Sequence, residues 1–217
     1  MSGNNKIGLD DAYSVKTPED NVALYREWAN TYDSEFAGPR GYQYPRLIAD
    51  IFAKQSTPGD SPVLDVGSGT GLVASALLEH DEITSQLAID GIDISPEMLA
   101  VSRGKAVYRR LFEADLTQSI DLPKAQYGAV VSAGTFTHGH VGPDALMELL
   151  YLCRSNALFV VGINGSAFDE YKFGSYFAAL QADNHITPIE YTRVQYYASA
   201  SDAHGSDQGY AAVFRKI

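Results

Sequence analysis

The stretch 63-VLDVGSGTGLVA-74 limits what this chain can fold into more than any other. A short, mainly apolar run reads as a buried strand, and a second apolar run from Leu72 reads as the start of a helix. Between them Gly67, Gly69 and Gly71 stand at alternate positions. Three glycines cost backbone entropy that a plain turn does not need, so the loop is expected to hold a ligand. Strand, glycine loop and helix in this order open a parallel α/β sheet, whose ligands sit at the carboxyl ends of the strands.

The alternation continues along the chain. Strands are expected at 63–66, 87–93, 108–114, 127–132 and 157–163, with helices at 70–79 and 144–153 between them. Ser95 caps a further helix, with Pro96 at its first position. The stretch 166-SAFD-169 reads as a capping box that opens a helix to about residue 181. Segments 189–198 and 210–216 are rich in Tyr, Val and Thr and are expected to pair as closing strands. Ahead of the sheet, Thr17 caps a helix with Pro18, Glu19 and Asp20 in its first turn, and a second helix is expected at 44–54. Residues 1–16 are polar and expected to be mobile; 17–217 reads as a single domain.

Composition excludes some partners. The 217 residues include 16 Lys and Arg against 27 Asp and Glu, a formal net charge of -11. A polyanion needs clustered cations, so a nucleic acid is not expected as a partner. The only candidate basic patch is 103–110. Cys153 is the single cysteine, so no intrachain disulfide forms, as suits a reducing compartment. The first 16 residues lack a signal-peptide core, and no apolar run approaches the roughly 20 residues of a membrane span, so a soluble, cytoplasmic protein is expected.

Two ligand classes compete for the loop. Dinucleotide enzymes use G-x-G-x-x-G, but Leu72 stands where the third glycine belongs. Asp65, two residues before Gly67, would oppose a pyrophosphate and favour a ligand carrying an ammonium and a sulfonium, as S-adenosylmethionine does. Asp93 ends the second strand and can accept hydrogen bonds from ribose hydroxyls, a feature both classes share. In 112-FEADL-116, Asp115 can accept from an adenine amino group while Leu116 packs on the base.

Together VLDVGSGTG, GIDISPEML and EADL resemble the cofactor motifs of class I S-adenosylmethionine-dependent methyltransferases, over roughly residues 20–165. The stretch 25-YREWANTYDSEF-36 resembles the N-terminal helix of their small-molecule type. The combination is most similar to the methyltransferases named for the Williams–Beuren syndrome region. The resemblance implies a Rossmann-like α/β fold: a seven-stranded, mostly parallel sheet in order 3-2-1-4-5-7-6 with helices on both faces. It implies that Asp65 and the loop of Gly67, Ser68, Gly69 and Gly71 hold the methionine end. Asp93 would hold the ribose, and Asp115 with Leu116 the adenine, with Ile94 and Met98 also counted among the cofactor-binding residues. Ser132 at the end of the fourth strand, and Tyr25, Trp28 and Tyr32 on a lid formed by residues 17–54, would complete the cofactor site. Many relatives have Pro-Gly-Gly before the fifth strand, where this chain has 154-RSNA-157.

Methyl transfer from a sulfonium needs alignment more than a catalytic set, and a base only if the acceptor arrives protonated. No Pro-Pro-Tyr or Pro-Pro-Phe follows the fourth strand, which disfavours amino methylation of bases. Ser132 in place of an acid disfavours the magnesium-dependent type, so no metal is expected. Cys153 reads as core. The loop 132-SAGTFTHGH-140 should face the methyl group; His138 is the preferred base because it lies nearer the strand end, with His140 as the other titrating residue and Thr135 or Thr137 able to orient the acceptor. The acceptor is expected to be a small molecule with a hydroxyl, carboxyl or amine, held by the N-terminal helices, the 132–140 loop and residues 168–197. A nicotinamide-dependent oxidoreductase and a non-catalytic S-adenosylmethionine-binding protein are the alternatives.

Overall fold

In the computed structural model, β1 (Val63–Val66) lies inside the sheet because both of its faces find apolar cover. Val63 joins one hydrophobic cluster, while Leu64 and Val66 join another on the opposite face. The residues described are 7, 9–15, 17–83, 87–198 and 207–217. Strands β2 (Ile89–Asp93), β3 (Arg110–Glu113), β4 (Tyr127–Phe136) and β5 (Cys153–Asn164) run parallel with β1. Strand β7 (Gln208–Arg215) is antiparallel to both β5 and β6 (Glu190–Gln195). The order is β3-β2-β1-β4-β5-β7-β6, the seven-stranded arrangement the resemblance implied.

Helices cover both faces. Ile48, Ala49 and Phe52 of α3 (Tyr44–Gln55) and Val73, Ala74 and Leu77 of α4 (Leu72–Leu78) pack on one face. Leu146, Leu149 and Leu150 of α6 (Ala145–Leu152) and Phe173 and Phe177 of α8 (Phe173–Ala182) pack on the other. The remaining helices are α1 (Leu9–Ser14), α2 (Pro18–Trp28), α5 (Pro96–Lys105) and α7 (Gly165–Glu170). Thr17 and Asp20 form a reciprocal capping box on α2, and Ser95 Oγ accepts from the Met98 amide at the start of α5.

Several local expectations need correction. A helical turn at Leu9–Ser14 interrupts the stretch expected to be mobile, with Ala12 and Val15 buried. Asn164, not Ser166, caps α7, accepting from the Ser166 and Ala167 amides. Lys172 in the left-handed region (φ 57°) then breaks what read as one long helix into α7 and α8. Where relatives carry glycines before the fifth strand, Asn156 adopts φ 65°, a conformation asparagine tolerates better than most side chains. The candidate basic patch is largely neutralised. Arg109 and Arg110 both pair with the fully buried Asp90, which also accepts from Tyr127, and Lys105 pairs with Asp33. Cys153 is buried, and burial pushes its thiol up to about 12, so it is a core residue. Among the described residues, no helix is long and apolar enough to cross a membrane.

Candidate active site

The loops leaving β1, β2, β3 and β4 converge at the carboxyl end of the sheet because those strands are parallel. They line one cavity of about 180 Å³. Gly67 has φ 63°, and a Cβ there would lie 2.0 Å from Thr135 Oγ1, so no larger residue fits. Gly69 (φ 49°) differs: a Cβ would meet nothing within 4 Å. Its backbone therefore faces open space in the cavity, where a ligand can approach it closely.

Asp93 organises this loop. Its Oδ2 accepts from the Gly69 amide at 2.7 Å, and its Oδ1 from the Ser95 amide at 2.9 Å. Burial raises its carboxyl above the usual range, against the pull of those amides. Ile94, Met98 and Ser68 line the cavity beside it. On the next loop, Asp115 Oδ1 accepts from both the amide (2.8 Å) and hydroxyl (2.7 Å) of Thr117, and Asp115 and Leu116 line the same wall.

Asp65 is placed differently from the expectation. It is fully buried and does not line the cavity. Its Oδ2 accepts from Tyr108 Oη at 2.6 Å, and its Oδ1 has no hydrogen-bond partner. Burial pushes its carboxyl up to about 7, with the Asp93 charge adding to the rise and Tyr108 opposing it. Gly71 also lies outside the cavity wall, at the N-cap of α4. Ser132 is buried, and its Oγ donates to the Val66 carbonyl at 2.8 Å. That bond ties β4 to the end of β1 and keeps Ser132 off the wall.

The roof comes from the N-terminal segment. Tyr25 stacks on Trp28 with ring centroids 5.9 Å apart, and Trp28 meets Tyr32 at 5.0 Å and Phe36 at 4.9 Å. Tyr32 and Phe36 lie on a π-helical turn, Tyr32–Ala37, a geometry frequent at functional sites. Asp33 on that turn accepts from Thr70 of the glycine loop at 2.6 Å and pairs with Lys105 of α5 at 2.5 Å. Arg26 pairs with Glu97 at 3.0 Å, a second link from roof to α5.

The β4 loop places its two histidines otherwise than expected. His138 turns away: its Nδ1 lies 3.0 Å from Glu170 of α7, and its ring packs near Tyr171. It is not on the cavity wall. His140 is, with Thr135 and Thr137. The His140 Nδ1 lies 2.7 Å from the His138 carbonyl, and its Nε2 is buried without a partner. Burial lowers its pKa below the imidazole norm.

The residues present fit an adenosine-bearing sulfonium ligand. An open glycine backbone, a carboxylate at each of two successive strand ends and an aromatic roof surround one space. Sequence reasoning missed Asp33 and Thr70, whose pairing spans 37 residues; Tyr42, Tyr44, Tyr196 and Tyr197, which also line the cavity, fall in the segments expected to form the acceptor pocket but were not singled out. Of residues 168–197, only the last two reach the cavity. Phe168, Phe177, Tyr191 and Tyr210 instead cluster on one another beside β6 and β7.

Comparison with known proteins agrees with this geometry. Residues 63–156 match the family described as methyltransferase domain. Human methyltransferase-like protein 27 is 32% identical over 142 residues, 64% of this chain and 56% of that protein. The chain thus spans little more than half the length of that relative. Among solved structures, the [4+2]-cyclase SpnF aligns with TM-score 0.66 and 17% identity, over 93% of this chain and 97% of its own. A putative S-adenosylmethionine-dependent methyltransferase of Methanococcus maripaludis aligns with TM-score 0.57 and 15% identity, over 98% and 96% of the two chains. A Thermotoga maritima protein titled a possible histamine N-methyltransferase aligns with TM-score 0.60 and 14% identity, over 90% and 98%. Residues 63–156 thus match a methyltransferase domain, and the chain shares the fold of these solved structures.

Proposed function

We propose that this chain binds S-adenosylmethionine and transfers its methyl group to nitrogen or oxygen of a small-molecule acceptor. The reading rests foremost on one observation: Gly69, Asp93 and Asp115, from three successive parallel strands, share a wall of one cavity. Asp93 and Asp115 offer carboxylate lone pairs to ribose and adenine donors, and Gly69 leaves room for the ligand's backbone contacts. The bound cofactor supplies an already activated methyl group, so the protein's part is alignment and exclusion of water. Tyr25, Trp28 and Tyr32 suit that part, since aromatic faces attract a sulfonium and shed water. A small acceptor is favoured over a nucleic acid by the net charge of -11 and by the pairing of Arg109 and Arg110 with Asp90. The finer likeness to the Williams–Beuren-region group rests on the combination of 25-YREWANTYDSEF-36 with GTGLVA and DISPEML.

Calorimetry with S-adenosylmethionine, S-adenosylhomocysteine, NAD and NADP tests the reading. Heat is expected from the first two alone; heat from NAD with none from S-adenosylhomocysteine would reverse the assignment. The roof is expected to act as a lid closed by Asp33 and Arg26. In Asp33→Ala, amide exchange in residues 18–37 should quicken several-fold in the free protein and slow again once S-adenosylhomocysteine is bound. Exchange unaffected by the substitution and by the ligand would leave the roof as a fixed wall.

A further inference from the structure

We propose that His140 Nε2 takes the acceptor's proton, and that the cavity it lines receives, beside the cofactor, an apolar or aromatic acceptor bearing an amine or phenol and no anionic group. This rests on the methyl-transfer reading above and narrows it.

The first support is the fixed state of the ring. A backbone carbonyl can only accept, so the 2.7 Å contact with the His138 carbonyl places the hydrogen of neutral His140 on Nδ1. The lone pair is then on Nε2, which is buried and has no partner. The loop is held from outside: the Gly139 amide donates to Tyr171 Oη at 3.1 Å, and Glu170 is engaged by His138. From α2, Tyr25 meets the imidazole edge-on at 6.0 Å. The carboxylates on the cavity wall are Asp93, which ends β2, and Asp115 in the loop after β3, both across β1 from β4. Burial lowers the ring's affinity for a proton and so favours the neutral form, the state in which it can take one.

The second support is the lining of the cavity that His140 shares. Phe36, Tyr42, Tyr44, Tyr196 and Tyr197 belong to it, with Tyr44 and Tyr196 ring centroids 4.5 Å apart and Phe36 and Tyr42 5.7 Å apart. Among the described residues, no Lys or Arg lines the cavity. Arg40 packs its guanidinium over the Phe36 ring at 5.5 Å and is not part of the wall. An acceptor carboxylate or phosphate would lose its hydration here with no side-chain cation to replace it. An ammonium or a phenol meets aromatic faces and a bare imidazole nitrogen instead. In the step itself, the proton of the acceptor heteroatom passes to Nε2 and that atom's lone pair forms the bond to the methyl carbon as the carbon–sulfur bond breaks onto sulfur. The imidazolium then returns its proton to water.

The test pairs structure with turnover. Nitrogen-15 spectra of the histidine-labelled protein should show His140 protonated at Nδ1, bare at Nε2 and titrating below the ordinary imidazole range. Labelled cofactor is offered with 2-phenylethylamine, 4-ethylphenol and 3-phenylpropionate as single-ring probes. Label is expected on the amine or the phenol and not on the carboxylate. His140→Asn should lower turnover at saturating acceptor by about 10²–10⁴-fold. That loss should shrink as pH passes the acceptor's own pKa, which a merely structural role would not produce. S-adenosylhomocysteine should bind wild type and His140→Asn alike; failure to bind wild type would undo the parent reading and not this one alone. With that binding intact, a hydrogen on Nε2, label on the carboxylate, label on none of the three probes, or unchanged turnover in His140→Asn would each overturn the proposal.

Discussion

At pH 8, Asp65→Asn is expected to be more stable than the wild-type chain by about 2–4 kcal/mol, and the gain should vanish below pH 4. The Asp65 carboxyl is wholly buried under the glycine loop, with one hydrogen bond from Tyr108 and an unpartnered Oδ1. Burial, reinforced by Asp93, pushes it up to about 7, whereas an unfolded aspartate titrates near 3.9. Below pH 4 both states hold the proton and the charge contributes nothing. Between about pH 4 and 7 the folded state holds a proton that the unfolded state has lost, so stability falls as pH rises and then levels off. Asparagine keeps the shape and the acceptor for Tyr108 while removing the charge. The rise to about 7, at about 1.4 kcal/mol for each tenfold change in proton affinity, sets the upper end, and the coupling to Asp93 draws the figure down. Urea unfolding at pH 4, 6 and 8 measures it. A variant less stable than wild type by the same amount at every pH would show that the carboxylate is well solvated in the folded chain.

Asp93→Ala should weaken S-adenosylhomocysteine binding by about 1.5–3 kcal/mol, roughly tenfold to more than a hundredfold. The carboxylate both presents lone pairs to the cavity and holds the Gly69 and Ser95 amides at 2.7 and 2.9 Å. Removing it takes away a charged acceptor and loosens the loop that the ligand must touch. The sheet should survive, because Asp93 ends β2 and its side chain is only partly buried. Calorimetry on the variant, with circular dichroism as the check on folding, gives the result. Full affinity in a folded Asp93→Ala would remove the ribose role.

The sheet is legible in the sequence because its determinants are local. The central strands β1, β4 and β5 are mainly apolar, and the carboxylate that closes β2 lies two residues before Ser95, whose side chain opens α5. Capping likewise acts over three residues, so Thr17 and Ser95 announce their helices. The histidines are not legible. Residues 138 and 140 share a loop and a residue type, and what separates them is Glu170, brought from α7 by the fold. Asp65 stands out in the sequence as an acid beside glycines, but only the position of Tyr108, 43 residues on, shows its carboxylate sealed beneath the loop. Lys172 gives no local sign of its left-handed break, since φ 57° is rare for lysine.

The roof over the cavity has a consequence for how such a protein can diversify. Asp93, Asp115 and the glycine loop lie within residues 63–156, while Phe36, Tyr42, Tyr44, Tyr196 and Tyr197 lie outside them. The two groups meet in space but sit in separate stretches of chain. Substitutions among the outer rings can reshape one half of the cavity without moving the backbone that forms the other. On the proposed methyl-transfer reading, a lineage built this way can exchange acceptors while keeping its donor.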